Sequence, residues 1–101
     1  MTPESRVKHA VKKLLEEQGV YYFMPVSNGM GRHGIPDIIC CVNGYFMGVE
    51  CKAGKGKPTA LQERELERIR YTGGEALVVT DDETTMELLR CTIKKLSKKT
   101  E

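Results

Sequence analysis

The chain has 101 residues, a net charge of +2, 40% apolar residues and 30% charged ones. That suits one compact domain, residues 1–101, with a thin core that a partner subunit would supplement, since a chain of this size buries only about two-thirds of its unfolded surface. The composition excludes a disordered chain, and no apolar run approaches the ~20 residues of a membrane-spanning helix.

Thr2-Pro3 predicts a helix start, with Thr2 as N-cap and Pro3 in the first turn. Val7, Ala10, Val11 and Leu14 recur at helical spacing, and Gly19 closes the segment. "VYYFMPV" reads as a strand stopped by Pro25, and "SNGMGRHG" as a polar loop. "PDIICCV" and "YFMGVECK" read as two strands joined by Asn43-Gly44, a strong hairpin signal. "AGKGKP" is a basic loop, Thr59 to Tyr71 a helix closed by Gly73-Gly74, "EALVVTD" a strand, and Thr84 to Leu96 a final helix. The order is α-β-β-β-α-β-α. Both faces of the central hairpin are mostly apolar, so helices should cover the sheet on both sides.

There are four cysteines. They show no zinc spacing, and no secretion signal precedes them, so they read as reduced, buried and structural. The lack of a signal-peptide core places the protein, as an expectation, in the cytosol. Lysines and arginines gather on the first helix (Arg6, Lys8, Lys12, Lys13), after the hairpin (Lys52, Lys55, Lys57) and in the tail (Lys94, Lys95, Lys98, Lys99). Each group taken singly reads as a solvated face.

The hairpin turn fixes a register. A two-residue loop pairs Val42 with Tyr45, then Cys41 with Phe46, and so down to Ile38 with Val49. Asp37 therefore falls opposite Glu50, with Cβ atoms about 4.5 to 5.5 Å apart on one face. Strand alternation puts Lys52 on the same face as Glu50. Two like charges so placed destabilise a sheet unless something compensates. A hard divalent cation such as Mg²⁺ would, and carboxylates, metal and ammonium together suit phosphodiester hydrolysis. The plainer alternative is a pair of charged strand ends, with Lys52 as a salt-bridge partner, or a register slipped by a bulge.

Pro36-Asp37 followed by Glu50-Cys51-Lys52 resembles the PD-(D/E)xK nuclease signature. The surrounding order narrows the resemblance: a first helix with an early Glu4, "GIPD", hairpin, "VECK", basic loop, then a helix with "LQ". From about Thr2 to Val79 the chain resembles a stand-alone VRR-Nuc (virus-type replication-repair nuclease) domain, similar also to archaeal Holliday-junction resolvases. The resemblance implies a restriction-endonuclease-like α/β fold, a mixed central sheet flanked by helices. It implies a metal-dependent DNA endonuclease, with Asp37, Glu50 and the Cys51 backbone carbonyl binding Mg²⁺ or Mn²⁺. Lys52 would position or activate the attacking water. It also implies branched DNA, such as a four-way junction, as substrate, a homodimer as assembly, and the host cytosol as location if the protein is phage-encoded. A nicking or restriction-like nuclease on ordinary duplex, and a catalytically silent DNA-binding module, are the alternatives.

Glu4 shares a helical stripe with Val7 and Val11. It reads either as an acid complementing the helix N-terminus or, by resemblance, as part of the metal shell. Gln62 closes a Thr59-Ala60-Leu61-Gln62 capping box, while the family places a glutamine here near the catalytic lysine; both readings stand. Arg32, His33, Lys55 and Lys57 are expected DNA-phosphate contacts, the first two with a solvated loop as alternative. His9 reads as an ordinary helix residue. "NGMGRHG" lacks the Gly-Lys-Ser/Thr of a P-loop, so no nucleotide cofactor is expected. With no Trp and two Phe, the chain has no base-stacking platform.

Overall fold

The computed structural model describes residues 1–26 and 32–100. The elements run α1 (Pro3–Glu17), β1 (Tyr21–Phe23), β2 (Ile38–Val42), β3 (Tyr45–Cys51), α2 (Ala60–Tyr71), β4 (Glu75–Val79) and α3 (Glu83–Ser97), in the expected order. Ser27 to Gly31, most of the expected polar loop, lie outside the described residues.

Local chemistry sets the boundaries. The Thr2 hydroxyl accepts from the Ser5 N–H ahead of Pro3, as the N-cap reading requires. α1 ends at Gly19 (φ 69°), where Gly19 N–H donates to Glu16 O and Val20 N–H to Leu15 O. A side chain would fit the open space there but would be strained at that left-handed φ, so glycine suits the cap. β1 is shorter than its apolar run suggests. Among the described residues it pairs with β2 alone, so β1 is an edge, and it stops before Pro25.

The sheet order is β1-β2-β3-β4. β1-β2 and β2-β3 are antiparallel, and β3-β4 is parallel with α2 as crossover, which makes the sheet mixed. The hairpin register is the expected one, from Val42↔Tyr45 to Ile38↔Val49. Asn43 (φ 53°) and Gly44 (φ 84°) both adopt the left-handed conformation of a type I′ turn.

Alternation then separates two faces. Ile38, Cys40, Val42, Met47, Val49 and Cys51 enter the core with Val7, Val11, Leu14 and Leu15 of α1 and Leu89, Ile93 and Leu96 of α3. α2 lies on the opposite face, and Gly48 permits its approach. A Cβ at Gly48 would come within 3.0 Å of both Ile69 of α2 and Pro36. The cysteines divide in the same way. Cys40 and Cys51 are buried, and burial pushes each thiol up to about 12. Cys41, on the other face, and Cys91, on the outer side of α3, are exposed, so the expectation of uniformly buried cysteines does not hold. Among the described residues no helix is long and apolar enough to cross a membrane.

Candidate active site

Pro36 ends the β2-β3 ladder. Continuing the register would set residue 36 against Cys51, but proline has no N–H to give. Asp37 takes over the position with its side chain, and its Oδ2 accepts the Cys51 N–H at 2.9 Å. The next amide, Lys52 N–H, points the other way, to Val79 O of β4 at 3.0 Å. The peptide is trans, so the Cys51 carbonyl opposes that N–H and looks towards the Asp37 side, where the ladder has ended. A carboxylate and a main-chain carbonyl thus turn to one place.

Glu50 lies one step past the last ladder pair and is 1% exposed. Its Oε2 is 3.5 Å from Lys52 Nζ. Among the described residues its Oε1 is buried without a hydrogen-bond partner, a costly arrangement for a carboxylate. Burial, and then the neighbouring Asp37, raise the Glu50 carboxyl to about 7, against the opposing pull of Lys52. The like-charge conflict expected from the register is therefore present.

Glu4 approaches from the first turn of α1. Lys8, one turn on, stands between it and the sheet, with Nζ 3.9 Å from Glu4 Oε2 and 3.7 Å from Asp37 Oδ1. Sequence reading assigned Lys8 to a solvated basic face. Its i,i+4 spacing from Glu4 was the available signal, but the contact with Asp37 depends on how α1 packs on the sheet.

The remaining candidates are more scattered. The Gln62 Oε1 accepts the Thr59 N–H and the Thr59 hydroxyl accepts the Gln62 N–H, so the capping box is formed. Arg32 makes a 2.8 Å ion pair with Glu65, a buried acid of α2 that sequence reading overlooked. Gly34 (φ 85°) lies so close to α2 that a Cβ there would sit 2.6 Å from the Leu61 carbonyl oxygen. These contacts strap the residues before Asp37 onto α2. His33, Lys55 and Lys57 are exposed, as is His9. The Gly54 N–H donates to Asp81 Oδ1 at 3.3 Å, tying the Lys55 loop to the end of β4.

Among the described residues no three His, Cys, Asp or Glu side chains gather tightly enough to enclose a metal. Two carboxylates with a main-chain carbonyl nonetheless fit a hard cation that keeps several waters. The orphaned Glu50 oxygen is the kind of atom such an ion would satisfy.

Over residues 5–101 the chain matches the model of the family "Archaeal holliday junction resolvase (hjc)". The chain belongs to this family. It is also 33% identical over 87 residues to "Putative nuclease p44" of Acyrthosiphon pisum secondary endosymbiont phage 1, a match covering 85% of this chain and 89% of that protein. A solved structure described as a "VRR_NUC domain" superposes with a TM-score of 0.74 at 29% identity, covering 89% of this chain and 97% of the other. The chain is a nuclease domain of the VRR-Nuc and Holliday-junction-resolvase type, with the mixed α/β fold of that group.

Proposed function

We propose that this nuclease domain hydrolyses phosphodiester bonds in DNA with a divalent cation, Mg²⁺ or Mn²⁺, at the end of the β2-β3 hairpin. The observation that carries the reading is Glu50, a buried carboxylate with one oxygen unpartnered among the described residues, set beside Asp37 and Lys52. Asp37, Glu50 and the Cys51 carbonyl would hold the ion. When bound, it supplies Lewis-acid polarisation of the phosphate and a more acidic water. Lys52 Nζ, held against Glu50 and 14% exposed, orients the attacking water or accepts charge developing on the phosphoryl oxygens. Glu4 would act from the far side of Lys8, on the water shell. The Gln62 oxygen is engaged by its helix cap, so any part for Gln62 falls to its amide NH₂ group.

Branched DNA, a four-way junction above all, is the proposed substrate, and the family description supports it. Lys55 and Lys57, with His33, would bear on the phosphates. Such contacts give affinity and salt dependence without sequence preference. Arg32 would act chiefly through its Glu65 pair, holding the loop. A homodimer would present two sites related by a two-fold axis, as paired cuts in a junction require. The apolar residues Tyr21, Phe23 and Phe46, exposed on the part of the sheet beyond α2, are the candidate surface for it. The site would work in the cytosol of the cell that makes the protein.

The test is cleavage of a labelled four-way junction and a matched linear duplex, with Mg²⁺ or with EDTA. Metal-dependent cutting favouring the junction is expected. Lys52→Ala should reduce cleavage at least a hundredfold while junction binding holds. Equal cutting of both substrates would favour a nuclease for ordinary duplex, and no cutting of either a silent binding module.

A further inference from the structure

Lys8 has no part in the reading above, yet no other cation among the described residues lies as close to Asp37 Oδ1. Its ammonium is 3.7 Å from that oxygen and 3.9 Å from Glu4 Oε2, and its side chain is only 31% exposed. The placement is set by the fold. Val7 and Val11 are buried, which fixes the rotation of α1 about its axis. Residues 4 and 8 then share the stripe that passes the end of β2, and a glutamate one turn before a lysine is the favourable order for that pair.

We infer that Lys8 sets the divalent-cation affinity of the site, its ammonium competing with the ion for Asp37 Oδ1. This rests on the reading of Asp37 and Glu50 as ion ligands. Asp37 already gives Oδ2 to the Cys51 amide, so Oδ1 is the oxygen left for an ion. A cation there meets a like charge at close range in a partly buried setting, where screening by water is weak. The ion gains Asp37 only as Lys8 withdraws, and Glu4 is the carboxylate that can keep hold of Lys8 as it does so. Besides its place at the water shell, Glu4 thus positions Lys8. Lys8 lowers affinity for the ion but offsets the charge of Asp37 and Glu4 without one.

Mn²⁺ titration of the full chain, without DNA, tests this by electron paramagnetic resonance and calorimetry on wild type, Lys8→Met, Lys8→Arg and Glu50→Gln. Methionine keeps the stem and removes the charge. Lys8→Met should bind Mn²⁺ on the order of tenfold more tightly and show a larger rise in Tm on adding the ion. Lys8→Arg should stay near wild type, and Glu50→Gln should bind weakly. Unchanged or weaker binding by Lys8→Met, with wild type and Glu50→Gln behaving as stated, would overturn the role of Lys8 alone. No Mn²⁺ uptake by wild type or Lys8→Met would overturn the ion-site reading itself, and the inference with it.

Discussion

Glu50 shows how one residue can work against the stability of the domain that carries it. Its carboxyl is raised to about 7 from 4.5, chiefly by burial. Between those values the folded chain holds a proton that the unfolded chain has lost. Stability therefore falls as pH rises through that window. In EDTA, urea unfolding should give a more stable protein at pH 5 than at pH 8. Glu50→Gln should flatten the slope and be the more stable protein at pH 8. If wild type and Glu50→Gln shared one pH profile, Glu50 would not be the strained group. The opposition of Glu50 and Asp37 was legible in the sequence, because a two-residue turn leaves only one register. The burial that gives it energetic weight was not, because it depends on α2 packing over that face.

At the scale of the element, the segment entering β2 is what aims Asp37. Pro36 breaks the ladder, Gly34 touches α2, and Arg32 pairs with Glu65. Gly34→Ala would place a methyl group 2.6 Å from the Leu61 carbonyl at a φ of 85°. We expect a loss of about 2 kcal/mol and a large fall in cleavage rate, since Asp37 moves with the segment. Gly54→Ala is the control. It has a positive φ but open space, so it should cost about 1 kcal/mol. Equal losses in thermal unfolding would mean that the approach to α2 matters no more than the backbone angle. Caps and turns were readable here because they depend on neighbours in sequence: Thr2, Asn43-Gly44 and the Thr59–Gln62 box all formed. The Arg32–Glu65 strap joins residues 33 positions apart, and no local pattern announces it.

At the scale of the whole molecule, the face beyond α2 presents exposed aromatic side chains. Tyr21 is 71% exposed, and Phe23 and Phe46 about half exposed. If this face makes the dimer, Phe23→Glu should shift light scattering from dimer to monomer and lower paired cutting of a junction more than single nicking. A monomeric wild type would remove this surface from the account. The sequence by itself determined the element order and the hairpin register, and with it the approach of Lys52 to Glu50 beyond the last ladder pair, because periodicity and turn chemistry act over a few residues. Only the tertiary structure decided that Lys8 faces Asp37, that Glu65 holds Arg32, that Cys41 and Cys91 are exposed, and that Glu50 is desolvated. Each of these depends on which helix covers which face of the sheet, a contact between distant parts of the chain.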